Sequence, residues 1–194
     1  MSQSRAQADE RNPTHLPPAP SVLVVMGVSG SGKTTVGALL ASRLGWTFVD
    51  GDAFHSASNV QKMQSGIALT DEDRWPWLHA IASWIDATRT AHRHGVVACS
   101  ALKRRYREVL SGGRSDVRLV YLQASVDIVR ERLSKREGHF MPVSLLESQY
   151  ETLEEPGPEE APIIVSVSDA PETIVADVVT RLKLTPLRSR VART

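Results

Sequence analysis

Eight consecutive residues, Gly27-Val28-Ser29-Gly30-Ser31-Gly32-Lys33-Thr34, fit the pattern G-x-x-x-x-G-K-[ST]. Glycines at these spacings let the backbone curl until successive N–H groups converge on one concavity, which suits phosphate oxygens. The lysine reaches the β- and γ-phosphates of a nucleoside triphosphate, and the next hydroxyl ligates Mg²⁺. The nucleotide contacts expected here are Gly27, Val28, Ser29, Gly30, Ser31, Gly32, Lys33, Thr34 and Thr35. Lys33 also acts on the transferred phosphate, and Thr34 on the metal.

A second pattern that could do chemistry is Asp50-Gly51-Asp52. It follows a short apolar run, so it falls at the carboxyl end of a strand, where ligands sit in open α/β sheets. The other strand ends compare poorly: they finish at Cys99-Ser100 and at Gln123, and Asp169 comes only after Ser168. Beside phosphates and Mg²⁺, one carboxylate can hold the metal or its waters while the other accepts the proton of an attacking hydroxyl. Asp52 is the favoured base and Asp50 the favoured metal-side group. Their types and spacing leave the reverse division open.

The elements that must position these groups are legible as an alternation. Short β-branched runs at 22–26, 47–50, 96–100, 117–122 and 163–167 read as strands. Helical spacing covers 34–44, 59–64, 104–110, 126–136, 145–153 and 172–182. A longer helix is expected within 70–94, where Thr70-x-x-Asp73 resembles an N-terminal cap and Pro76 leaves the first turn open. Strands separated by helices imply one α/β domain: a five-stranded parallel sheet flanked by helices on both faces.

Composition narrows the class further. Hydrophobic residues at 41% and charged residues at 23% describe a globular chain. Lys+Arg 23 against Asp+Glu 22 gives +1, and Lys183, Arg188, Arg190 and Arg193 near the C-terminus leave the remainder net negative. Nucleic acid is therefore not an expected partner. A single cysteine, Cys99, excludes an intramolecular disulfide or a multi-cysteine zinc site and fits a cytoplasmic protein. No apolar run approaches the length that spans a bilayer. The proline-rich residues 1–20 read as a disordered leader, 21–184 as the phosphate-loop domain and 185–194 as a basic tail.

Longer blocks carry a resemblance. Asp50-Gly51-Asp52-x-Phe54-His55, Asn59-x-x-Lys62-Met63 and Asp71-x-Asp73-Arg74-x-x-Trp77-Leu78 are similar to the small phosphate-loop gluconokinases. So are Cys99-Ser100-Ala101-Leu102-Lys103-x-x-Tyr106-Arg107, Gly138-His139-Phe140 and Gln149-x-x-x-Leu153-Glu154-x-Pro156. The resemblance covers nearly the whole chain between the tails. It implies a fold like that of shikimate kinase and the nucleoside monophosphate kinases, with a mobile lid. It also implies ATP as donor, D-gluconate phosphorylated on its 6-hydroxyl, and a homodimer.

An anionic polyol needs a cation for its carboxylate and polar groups for its hydroxyls. On its own Arg74 would read as a solvated helix charge; the resemblance implies it for the carboxylate, and a planar fork suits bidentate capture. Lys103 is similarly placed, while Arg104, Arg105 and Arg107 are expected to coat the following helix. His55 and His139 complete the acceptor set with Asp52. The cation-rich stretch around 130–142 looks like the lid, with Arg136 stabilising transition-state charge and Arg132 binding the nucleotide. Arg130 and Lys135 are left as surface groups. Trp75, Trp77 and Trp84 are read as packing.

Two other functions stay in view. A kinase for another small hydroxy acid such as shikimate would carry a glycine-rich turn after the third strand, where this chain has Cys99-Ser100-Ala101-Leu102-Lys103. A non-catalytic nucleotide-binding switch module would lack a paired acid and a cationic lid.

Overall fold

The structure is a computed structural model that describes residues 19–135 and 143–187. Most of the leader and of the basic tail, and the segment holding Arg136 and His139, lie outside the described residues. Five strands, β1 (Val22–Met26), β2 (Thr47–Asp50), β3 (Gly95–Ala98), β4 (Val117–Gln123) and β5 (Ile163–Ser166), form one sheet in the order β2-β3-β1-β4-β5. Every pairing is parallel. The helices are α1 (Lys33–Leu44), α2 (Ala57–Gln64), α3 (Asp71–Thr90), α4 (Arg104–Ser111), α5 (Val126–Ser134), α6 (Val143–Thr152) and α7 (Pro171–Arg181).

β1 is apolar at all five positions because both of its faces are covered. Val22, Val24 and Met26 pack with Leu78, Ile81 and Ile85 of α3 and with Tyr106 and Leu110 of α4. Leu23 and Val25 point the other way, onto Val36 and Leu40 of α1 and Val175 and Val178 of α7. The two-residue period of the strand thus divides the interior into two layers.

Several boundaries differ from the sequence expectation for local reasons. α2 starts at Ala57 because Ser56 accepts a hydrogen bond from the Asn59 N–H. Thr70 and Asp73 form a full capping box at the start of α3, the Thr70 hydroxyl taking the Asp73 N–H and the Asp73 carboxylate taking the Thr70 N–H. That nucleus carries the helix through Pro76 to Thr90. α5 ends at Ser134 rather than 136, and β3 stops at Ala98, freeing Cys99–Lys103 for a loop.

Arg107 departs from its expected place. Arg104 and Arg105 do coat α4, but Arg107 is only 1% exposed. Its Nε and Nη2 donate to the two carboxylate oxygens of Glu160 at 2.6 and 2.8 Å. Nη1 donates to the carbonyls of Ala101, Leu102 and Glu154 at 3.3, 3.2 and 2.7 Å. A run of basic residues on a short helix conceals which one faces inward; the helical phase of Tyr106, Arg107 and Leu110, all buried, decides it.

Removing one partner of a buried ion pair costs about 3–5 kcal/mol, so Arg107→Ala should lower the unfolding free energy from urea titration by that much and move the midpoint down accordingly; an unchanged midpoint would overturn the assignment. Burial alone would raise the Glu160 carboxyl, but the hydrogen bonds and charge of Arg107, with help from the Gly157 N–H and Arg104, hold it below the ordinary 4.5. A carboxylate lowered in this way stabilises the fold at pH above its unfolded value. The contribution is lost as pH falls below about 4.5 through the folded value, and the Arg107→Ala penalty should shrink there.

Candidate active site

The sheet reverses its strand order at β1, which lies between β3 and β4, and the crevice at such a switch point is where α/β sheets bind ligands. The phosphate loop leaves β1 at this edge. Gly27 has φ +143°, and a Cβ there would lie 2.8 Å from the Leu122 carbonyl and 3.0 Å from Ser31 Oγ, so only glycine fits. α2, α3 and α5 each carry a Ser or Thr side-chain cap. α1 has none: its N-cap is Gly32, and its first turn holds no acid. Its first turn, with no side-chain cap, and its dipole are therefore suited to an anion. Ser31 Oγ is buried in the same loop without a partner. Lys33 Nζ donates to the Val28 carbonyl at 3.0 Å and so lies across the loop.

Asp50 ends β2, and its register partner Ala98 is also the partner of Val25, so the two chemical loops leave the two strands that flank β3. The Thr34 hydroxyl donates to Asp50 Oδ2 at 2.8 Å, and the other oxygen of Asp50 accepts the Asp52 N–H at 3.1 Å. Thr34 and Asp50 thus present hard oxygens from adjacent loops close enough to share one cation, which fits Mg²⁺. The glycine between the acids is a steric requirement: a Cβ on Gly51 would lie 2.4 Å from the Ala98 carbonyl. Trp77 Nε1 donates to the Gly51 carbonyl at 2.7 Å and pins the turn from below. Asp52 is left exposed at the rim.

His55 stacks on Trp77 with ring centroids 4.3 Å apart, so Trp77 both fills the core and shelves a site residue. Burial pushes the imidazole below its ordinary 6.5; Asp52 opposes that shift, and Arg74 adds to it. His55 therefore lies within reach of both charges and is neutral near pH 7. Its Nδ1 is buried without a partner.

An open pocket of about 360 Å³ lies next to these groups, lined by Thr70, Asp71, Arg74, Leu102, Lys103, Ser148 and Gln149 among others. Two residues to which the sequence reasoning gave no function organise it. Asp71 receives hydrogen bonds from Lys103 Nζ at 3.0 Å, from Arg105 and from the Tyr106 hydroxyl. Lys103 thus reaches the pocket already paired, whereas Arg74 forms no ion pair among the described residues and lies 5.9 Å from the Tyr106 ring centroid. Gln149 of α6 accepts the Ser29 N–H at 2.7 Å and links the pocket to the phosphate loop. Both residues stand inside quoted motif blocks, but partners 35 and 120 positions away leave no local signal.

Arg132 lies over the phosphate loop, donating to the carbonyls of Ser31 at 3.2 Å and Val167 at 2.6 Å. Arg130 and Lys135 pair with Asp127 and Glu131 on the surface, as expected. Cys99 is fully buried, and desolvation raises its thiol to about 12, which makes it inert packing. Among the described residues no group of three metal-binding side chains stands apart from this site, and no helix is long and apolar enough to cross a membrane.

Comparison with known proteins agrees with this geometry. Residues 29–183 match the family described as Shikimate kinase. The chain is 49% identical to the gluconokinase of Gluconobacter oxydans, covering 82% of this chain and 90% of that one. It is 40% identical to the thermoresistant gluconokinase of Escherichia coli, over 84% and 93% of the two chains. The solved gluconokinase from Sinorhizobium meliloti superimposes with a TM-score of 0.78 at 44% identity, over 85% of this chain and 93% of that one.

The His55 environment is directly measurable. By NMR its imidazole should titrate with a midpoint below 6.5, so that it stays neutral across the range above pH 7. A midpoint at or above 6.5 would mean that the ring is not held against Trp77 as described.

Proposed function

Because this chain belongs to the gluconokinase family, within the shikimate-kinase-like phosphate-loop enzymes, we propose that it transfers the γ-phosphate of ATP to D-gluconate, releasing ADP and 6-phospho-D-gluconate. One observation carries the reading: a pocket lined by Arg74, which forms no ion pair among the described residues, is joined to the phosphate loop through Gln149 and Ser29, and His55 feels the charges of both Arg74 and Asp52. A sugar acid is the acceptor class with one carboxylate for that cation and several hydroxyls for the polar wall.

Each group then has a task. The amides of the loop and of the α1 N-terminus receive the phosphate oxygens, and Lys33 neutralises charge on the β- and γ-phosphates. Thr34 and Asp50 would hold Mg²⁺, which supplies charge neutralisation between the β- and γ-oxygens when bound. Arg74 takes the carboxylate and fixes which end of the acceptor points at the donor. The Nδ1 of His55, buried without a partner at a cost of about 1–3 kcal/mol, supports a hydroxyl-binding site there. Asp52 accepts the hydroxyl proton as the oxygen attacks the γ-phosphorus, and the bond to the ADP oxygen breaks in line. Arg132, seated over the loop, is assigned to the nucleotide; Arg136 and His139, outside the described residues, keep the lid and acceptor tasks given by the resemblance. The same resemblance supplies the homodimer, and the single thiol fits the cytoplasm.

The direct test is ADP release with Mg·ATP and a panel of D-gluconate, shikimate, other sugar acids and no acceptor. Gluconate-selective turnover with 6-phosphogluconate as product is expected. Turnover of another acid would replace the substrate, and none at all would favour a nucleotide-binding switch. Within the mechanism, Asp52→Asn should lower kcat by about 10²–10⁴, the usual value of a general base, with ATP affinity nearly intact. Arg74→Ala should raise KM for the acid by about tenfold or more, as expected for loss of a charged hydrogen bond. A normal KM would transfer the carboxylate to Lys103.

A further inference from the structure

Gln149 occupies a position that the phosphate-transfer scheme leaves unused. It lies on α6, which is held firmly against the loop region. Leu146 is buried with Val28, Leu102 and Val129, and the Tyr150 hydroxyl donates to the Ala124 carbonyl at 2.9 Å. The side chain is at once a wall of the acceptor pocket, with Arg74 and Lys103, and a hydrogen-bond partner of the phosphate loop through Ser29.

The chemistry of that one bond fixes the orientation of the carboxamide. A backbone N–H can only donate, so the atom 2.7 Å from Ser29 N must be the amide oxygen. The group is planar, with oxygen and nitrogen on opposite branches. With Oε1 committed to the loop, the NH₂ is the polar group that Gln149 has left to offer the pocket it lines. An amide whose rotamer is already set by one strong bond loses little further freedom when a ligand binds its other end.

We propose that Gln149 is a specificity-determining residue that serves both substrates with one carboxamide. Its oxygen fixes the Ser29 amide of the phosphate loop, and its NH₂ donates to an oxygen of the polyhydroxy acid seated at Arg74. The acceptor is thereby registered against the same loop that holds the donor phosphates. A pocket built to donate a hydrogen bond discriminates against ligands that cannot receive it, because the buried donor is then left unpaired. The inference rests on the sugar-acid reading above for the identity of the acceptor.

Two variants separate the halves of the carboxamide. Gln149→Glu keeps oxygen for Ser29 and loses the donor; Gln149→Met is neutral and loses both. The proposal expects KM for the acceptor to rise about tenfold in both variants, the scale of one lost hydrogen bond to an anionic ligand. KM for ATP should rise in both variants, through lost anchoring of the Ser29 amide in Gln149→Met and through carboxylate–phosphate repulsion in Gln149→Glu, and the melting temperature of Gln149→Glu should stay at that of the parent. A brace confined to the loop would leave acceptor KM unmoved in Gln149→Met, and that result would overturn the proposal, as would an effect of Gln149→Glu on ATP alone. The comparison is run on whichever acid of the panel the parent enzyme phosphorylates. Failure on gluconate with turnover of another acid therefore sinks the gluconate reading and leaves this test standing; turnover of no acid sinks both.

Discussion

A guanidinium sealed from water must place all of its N–H groups, and Arg107 does so by drawing three stretches of chain onto one another. Its partners are the loop after β3, through Ala101 and Leu102, the segment that follows α6, through Glu154, and the short turn holding Glu160. Further bonds close the same seam: Glu154 N–H to the Leu102 carbonyl at 2.9 Å and Arg104 N–H to the Glu154 carboxylate at 2.7 Å. The acceptor wall depends on this arrangement. Lys103 is the next residue along one strap, and the other strap sets where α6 ends and hence where Gln149 sits. Ala101 takes φ +45°, a backbone state costly for a residue with a Cβ, and the two Arg107 bonds at Ala101 and Leu102 help to hold it there.

The donor side is built on a different principle. The phosphate loop takes its concavity from glycine conformations and from the uncapped start of α1, and Gln149 and Arg132 reach it from a distance. Its charge requirement is met by a helix terminus, Lys33 and Arg132, none of which lines the acceptor pocket. Specificity must therefore reside in the wall opposite. There the cations are sorted by what already neutralises them: Asp71 draws in Lys103 and Arg105, while Arg74 has no carboxylate partner among the described residues. Arg74 is therefore the cation of the described pocket wall best placed to orient an anionic ligand.

This division also explains what could be read from the sequence. The loop, the D-G-D turn and the capping box are local, each written within a few consecutive residues whose spacing is dictated by backbone geometry. Even the steric reason for Gly51 is implicit in a glycine between two acids at a strand end. Arg107, Asp71 and Gln149 are not local. Whether an arginine on an eight-residue helix faces water or the interior depends on where Glu160 arrives, 53 positions later. The expectation that Arg107 coats the surface failed for that reason, since charge composition argues for exposure and only a distant carboxylate argues against it. The strands and helices of the described residues were legible because apolar periodicity is a property of each element alone.

The two kinds of information meet at Ser29. Its N–H belongs to a motif whose every position is accounted for by phosphate chemistry, yet it is engaged by a side chain from the far end of the domain. A loop whose amides are shaped for anions tolerates a neutral carboxamide oxygen there without blocking the cradle, because the oxygen carries only partial charge. A carboxylate in its place would compete as a full anion at the mouth of a phosphate site. Glutamine is thus the residue type that can complete the loop, face a sugar acid with a donor and repel neither substrate. That combination of demands, rather than the hydrogen bond by itself, accounts for its presence at this position.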